Sequence, residues 1–289
     1  MKIQLLSDLH LEVDPDWAPT PAPGADLLVL AGDIGSYQPG SKLTDTDFGL
    51  GRFSPRRGWP TPVLFVPGNH EYDALDFDQA HARLRETCER LGIVWLEREV
   101  FTWPLAGSGP GGHSPGVPVR FIGTTLWSDF DALCPTVAPA STHHPASLLT
   151  HQLKARDKAF RAANYYLKKN SARRHGQPML AEEMRAQALL CQDWLTRALA
   201  QPFEGRTVVV THFAPSLLSA DPRYGLTPGT AGFCNALDAM LAQAQLWLHG
   251  HLHAPSRYVL HGCQVAANPL GYARKNEQSA FGPTFCMDL

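Results

Sequence analysis

Good metal donors fall in five short clusters along the chain: Asp8-Leu9-His10, Gly32-Asp33, Gly68-Asn69-His70-Glu71, His212, and Gly250-His251-Leu252-His253. A mixture of imidazole, carboxylate and amide oxygen suits manganese, iron, zinc, cobalt or nickel. The lack of thiolate in the set argues against a structural zinc knot. Asp8, His10, Asp33, Asn69, His212, His251 and His253 make a donor set that fits two divalent or mixed-valence ions better than one. A carboxylate such as Asp33 can bridge two cations, and a pair roughly 3.5–4 Å apart clamps the attacking and leaving oxygens of an in-line displacement at phosphorus. Hydrolysis of a phosphate ester is the chemistry this set predicts.

Two of the clusters pair donors two residues apart. In extended backbone that spacing puts both side chains on one side, so each pair is expected to grip one ion. Gly32 and Gly68 precede Asp33 and Asn69, and glycine lets the backbone turn sharply at a strand end and aim the next side chain inward. A D-x-H or a G-N-H-E taken singly occurs in many ordinary turns. The signal is their joint occurrence, each behind an apolar run.

Those runs are the elements that must position the donors: Ile3 to Leu6, Leu27 to Ala31, Val63 to Val66, Val208 to Val210 and Leu246 to Leu248, with a further run at Phe121 to Ile122. They lack polar alternation, which predicts strands covered on both faces. Side chains at the ends of adjacent strands in such a sheet converge on one edge. Helical patterns at Leu75 to Leu91 and Phe233 to Ala244 alternate with some of the strands and favour a layered α/β architecture. From about Ser147 to Ala200 the chain is rich in helix formers, with a break around Gly176-Gln177-Pro178, and predicts two helices inserted between sheet strands. Neither an internal repeat nor a flexible interdomain linker is evident, so a single domain over 1–289 is expected.

Composition sets outer bounds. With 289 residues, 44% hydrophobic, 18% charged and a net charge of -2, the chain reads as globular and has no overall field to draw in a polyanion. The six cysteines form no C-x-x-C pair and are expected to be reduced thiols. No apolar leader precedes Asp8 and no run approaches the roughly 20 apolar residues of a membrane span, so a cytoplasmic location without a membrane partner is expected. Oligomeric state is left open. Lys154, Arg156, Lys158, Arg161, Lys168, Lys169, Arg173 and Arg174 stand against the single acid Asp157 in the insert. They read as a solvated helix face, or, if the insert overhangs the site, as an attraction for phosphate-rich substrates including nucleic acid. His143, His144, His151 and His175 are expected at the surface, unless the insert forms a lid that brings them to the metals, and His249 is expected on the side of its sheet opposite the donors.

The series from Asp8 to His253 resembles the calcineurin-like metallophosphoesterase superfamily. The stretches Thr211-His212-Phe213-Ala214-Pro215, Leu126-Trp127-Ser128-Asp129 and Asn268-Pro269-Leu270-Gly271-Tyr272 resemble a bacterial phosphohydrolase branch within it. The resemblance implies a four-layer αββα sandwich. It also implies a first metal held by Asp8, His10, Asp33 and His253, and a second held by Asp33, Asn69, His212 and His251. A water shared by the ions would supply hydroxide, and His70 would protonate the leaving oxygen. The sequence departs from the protein serine/threonine phosphatases, whose second block continues G-D-x-x-D-R-G; here it reads Gly32-Asp33-Ile34-Gly35-Ser36-Tyr37. The acid that partners the catalytic histidine there, and the phosphate-binding arginine, are both missing, so a protein-phosphatase role is not expected. Glu71 and Asp73 are the nearby candidates to orient His70, unless both are solvated turn acids. The leading expectation is a hydrolase of small phosphate esters, leaning to diesters; a nuclease and a non-catalytic metal-binding scaffold are the alternatives.

Overall fold

The computed structural model describes residues 1–104, 117–136 and 145–289, with the backbone alone for 145–147; His143 and His144 lie outside the described residues. In chain order the elements are β1 (Lys2–Leu6), β2 (Leu27–Ala31), β3 (Val63–Val66), α1 (Phe77–Leu91), β4 (Val94–Trp95), β5 (Glu99–Trp103), β6 (Val119–Thr124), α2 (Pro145–Leu167), β7 (Arg173–Arg174), β8 (Gln177–Pro178), α3 (Ala181–Leu199), β9 (Arg206–Thr211), β10 (Leu246–His249), β11 (Ser256–Leu260), β12 (Cys263–Ala267) and β13 (Cys286–Asp288). One sheet runs β13-β1-β2-β3-β4 and the other β11-β12-β10-β9-β6-β5. Each has a parallel core, β1 to β4 in the first and β12-β10-β9-β6 in the second, with antiparallel strands at the edges.

Alternation along the strands, hidden in sequence because both faces are apolar, sorts residues between two layers. Ile3, Leu5, Val29 and Ala31 join Phe121, Val208, Val210 and Leu248 in a core between the sheets. Leu28, Leu30 and Phe65, and likewise Ile122, Val209 and Trp247, belong to the outer core, which takes in Leu84 and Cys88 of α1 and Ala188 and Leu195 of α3. Helix, sheet, sheet, helix is the four-layer order. All five residues of β2 are fully buried, and each of its leucine and valine side chains contributes about 1.5–3 kcal/mol on leaving water.

The insert divides its labour. The side of α3 that is buried packs on β6 and forms an outer layer of the sandwich, while α2 crosses the turn at 228–232 beside the strand ends. The break between the helices is a small hairpin, β7 with β8, turned by His175 and Gly176 at positive φ. Helix α1 starts two residues later than the pattern predicts, because Asp76 caps it by accepting a hydrogen bond from the Gln79 amide at 3.1 Å. The predicted helix over Phe233 to Ala244 shrinks to Asp238–Leu241. Its first residues are claimed by tertiary pairing: Cys234 bridges to Ala214, and the Asn235 side chain donates to Trp127 O at 2.8 Å and accepts from the Asp129 amide.

Candidate metal centre

Every predicted donor lies just past the C-terminal end of a parallel strand: Asp8 and His10 after β1, Asp33 after β2, Asn69 after β3, His212 after β9, His251 and His253 after β10. Three of these strands belong to one sheet and two to the other, so the donors meet at the seam between sheets. Asp8, His10, Asp33 and His253 place one ligand atom each within 4.8 Å of the others, and so do Asp33, His212 and His251. Asn69 joins the second group through Oδ1, 3.3 Å from His212 Nε2. Asp33 is common to both, with Oδ2 3.2 Å from His212 Nε2 and 4.0 Å from His70 Nε2.

The spacing reading is corrected in two respects. Asp8, His10, Asp33, His251 and His253 have φ of 53°, 47°, 55°, 75° and 49°, left-handed rather than extended. Such backbone costs about 1–3 kcal/mol per residue and is best tolerated by Asp, Asn and His among non-glycines, which are the residues found here. The pair His251/His253 also does not grip one point: His253 sits with Asp8 and His10, and His251 with Asp33 and His212. Gly32 is required by both conformation (φ 86°) and space, since a Cβ there would overlap His212 Nδ1 and lie 2.7 Å from the Gly68 amide.

Each imidazole is aimed by a partner on its far nitrogen. His10 Nδ1 is 2.9 Å from Glu12 Oε1, His253 Nδ1 2.7 Å from Glu277 Oε2, and His212 Nδ1 2.8 Å from Ala31 O. Carboxylate or carbonyl partners fix the tautomer and raise the basicity of a ligating histidine. His251 is held differently, its ring between Phe213 and Phe233 with centroids at 3.9 and 5.1 Å. Tyr272 stacks on His10 at 4.4 Å. The Asp8 carboxylate also accepts from the His251 amide at 2.9 Å, tying the first strand end to the last.

Glu71 and Asp73 are both buried, not solvated turn acids. Asp73 Oδ2 lies 2.6 Å from His70 Nδ1, within ion-pair range, and Asn170, just past α2, donates to the same oxygen at 2.9 Å. Glu71 faces the other way and accepts from the amides of Asp33 (3.1 Å), Ile34 (2.6 Å) and Gly68 (2.7 Å). It clamps the two glycine turns that present Asp33 and Asn69. Glu12, Glu277 and Asn170 were not singled out from sequence. Glu12 stands two residues past His10 and could have been noticed; Glu277 and Asn170 have no local signal.

Burial tends to neutralise these groups, and the mutual charges overcome it where partners are close. Against burial, His253 and His212 hold the Asp8 carboxyl down at about 2. Against burial, the Asp33 carboxylate raises His212 to about 9, and Asp8 with Glu277 raises His253 to about 9. Burial and the nearby charge of His212 keep His251 well below the usual imidazole range, neutral and ready to donate its lone pair. His249, buried under hydrogen bonds from or to Ser219 and Ser256, is pushed by burial down to about 4 and takes no part in either cluster.

The donor chemistry fits metal: buried His251 Nε2 has no hydrogen-bond partner and belongs to one of the groups just described, and Asp33 Oδ2, though in ion-pair range of His212 and His70, makes no well-aligned hydrogen bond. These residues could hold metal ions. Three of the eight basic residues of the insert pair with acids: Arg156 with Asp131 (2.6 Å), Arg161 with Asp157 (2.9 Å) and Arg174 with Asp78 (3.2 Å). His151 and His175 are exposed, as expected. Among the described residues no helix is long and apolar enough to cross a membrane.

Comparison with known proteins agrees with this class of fold. The profile of the calcineurin-like phosphoesterases matches residues 1–255. An uncharacterized protein of Acanthamoeba polyphaga mimivirus is 24% identical over 241 residues, 78% of this chain and 73% of its own. The crystal structure of a phosphopantetheinyl hydrolase from Mycobacterium tuberculosis superposes with a TM-score of 0.62 at 19% identity, covering 95% of this chain and 90% of that one. The chain belongs to the calcineurin-like phosphoesterase family.

Proposed function

We propose that the protein hydrolyses phosphate esters, diesters by preference, at a dinuclear centre. Asp8, His10, Asp33 and His253 would hold one divalent ion, and Asp33, Asn69, His212 and His251 the other. The observation that carries this reading is the sharing of Asp33 between two ligand groups. When bound, the ions would supply Lewis acidity at the phosphoryl group and a nucleophilic hydroxide at neutral pH.

The chain's own residues do the rest. His70 is the general acid for the leaving oxygen: Asp73 at 2.6 Å fixes its Nδ1 side, leaving Nε2 on the side of Asp33, 4.0 Å away. Glu12, Glu277 and the Ala31 carbonyl hold the imidazoles in the tautomer that turns a lone pair inward. The diester preference is supported by the charge of the adjoining cavity. Among its described lining residues Lys169 is the one lysine or arginine, which suits a monoanionic diester better than a dianionic monoester. A single lysine at the cavity gives little support for a nuclease, and the complete donor set speaks against a non-catalytic scaffold. Manganese-stimulated release of p-nitrophenol from its bis-phosphate is expected, with loss of at least about 100-fold in Asp33→Asn and His212→Ala. Full activity in purified Asp33→Asn would overturn the reading.

A further inference from the structure

A chamber of about 390 Å³ opens directly off the candidate centre, with Asn69, His70 and His251 forming one wall. That volume lies within the roughly 300–1,000 Å³ of small-molecule sites and greatly exceeds the needs of a phosphoryl group. The remaining walls are largely apolar. Trp127, Phe130, Phe213, Met179 and Met184 line it, and α2 contributes Ala162 and Ala163. At the rim Phe233 and Tyr166 keep 45% and 70% of their surface exposed, an arrangement more usual where a ligand covers them.

Apolar walls beside a charged reaction centre select for a two-part molecule. A sugar or a peptide segment placed there would lose hydrogen bonds to water and regain few of them, since the polar side chains among those walls are Asp73, Tyr166, Lys169, Asn170 and Ser171. An alkyl or aryl group would gain by leaving water, about fourfold in affinity for each methylene buried. Resting on the phosphoesterase reading above, we propose that this chamber receives an uncharged alkyl or aryl arm of the substrate ester. The phosphoryl group would then sit at Asp33 with the ester oxygen toward His70. Chain specificity is thus set by α2 and the segment 228–233, and the reaction itself by the strand ends.

The test uses the full-length, manganese-loaded protein and non-hydrolysable alkylphosphonates from methyl to pentyl, titrated calorimetrically. Affinity is expected to rise by about 250-fold across the series. Ala163→Trp fills the chamber and is expected to flatten the series while leaving methylphosphonate binding within about twofold. Ala162→Phe, at the neighbouring lining position, repeats the test if the tryptophan variant does not fold. Equal affinity for all chain lengths in the wild-type protein, or an unchanged series in both variants, overturns the inference. The two readings fail separately. Chain-length-dependent binding without hydrolysis of bis(p-nitrophenyl) phosphate keeps the chamber and removes the hydrolase, whereas hydrolysis with a flat series does the reverse.

Discussion

Replacing Glu71 by glutamine changes one oxygen to an amide in a buried position that receives three backbone N–H groups. The best orientation keeps the carbonyl oxygen on the Asp33 and Gly68 amides and turns the NH₂ toward the Ile34 amide, two donors face to face. An unpaired buried N–H costs about 1–3 kcal/mol, and the donor-to-donor approach at Ile34 takes the loss to the top of that range, about 3 kcal/mol. An unfolding entropy of about 2.1 cal/mol/K per residue over 289 residues gives roughly 600 cal/mol/K, so Tm should fall by about 5 °C. The displaced turns carry Asp33 and Asn69, so metal affinity should fall about 10- to 100-fold as well. Scanning calorimetry of chelator-treated protein reads the first effect and metal titration the second, with exposed Glu89→Gln as control. A Tm within about 1 °C of wild type and unchanged affinity would refute the clamp.

Further outcomes follow from the same geometry. Asp73→Asn removes the carboxylate 2.6 Å from His70 Nδ1 and should lower kcat about 10- to 100-fold with little change in KM or metal content, read by steady-state kinetics and elemental analysis. Glu12→Gln and Glu277→Gln should each weaken one of the two ions by about 10- to 100-fold, seen as the loss of one step in a manganese titration. In chelator-treated protein His212 and His253, raised to about 9, carry protons at pH 7 that ligation must displace. Metal uptake should therefore release protons and tighten as pH rises toward 9, measurable by calorimetry in buffers of different ionisation enthalpy. The sign for stability is opposite. Without metal these raised pKa values stabilise the fold fully below about pH 6.5, a contribution lost as pH climbs through about 9.

The donor clusters were legible because each is local: a short apolar run, a turn and one or two polar residues, as at Leu27 to Asp33. The strands were legible for the same reason, and their uniform apolarity correctly marked burial on both faces. The left-handed backbone of Asp8 and His253 was hidden, because the pairing of strand ends across the seam imposes it, not local propensity. That hidden twist also separates His251 from His253, which two-residue spacing had placed together. Cys234 and Asn235 read as helix because helical periodicity cannot see the loops at Ala214 and Trp127 that claim them. Glu277 and Asn170 reach the site from distant segments, and only the folded chain brings them there. The insert was visible as two helices, but not that α3 is a layer of the sandwich and that α2 lines the chamber.

The claim on which the rest depends is that Asp33 joins two ions. Anomalous diffraction from manganese-soaked crystals, collected on both sides of the metal edge, tests it most directly. Two peaks roughly 3.5–4 Å apart are expected, one among Asp8, His10 and His253, the other among Asn69, His212 and His251, with Asp33 between them. A single peak, or two that Asp33 does not bridge, would contradict it.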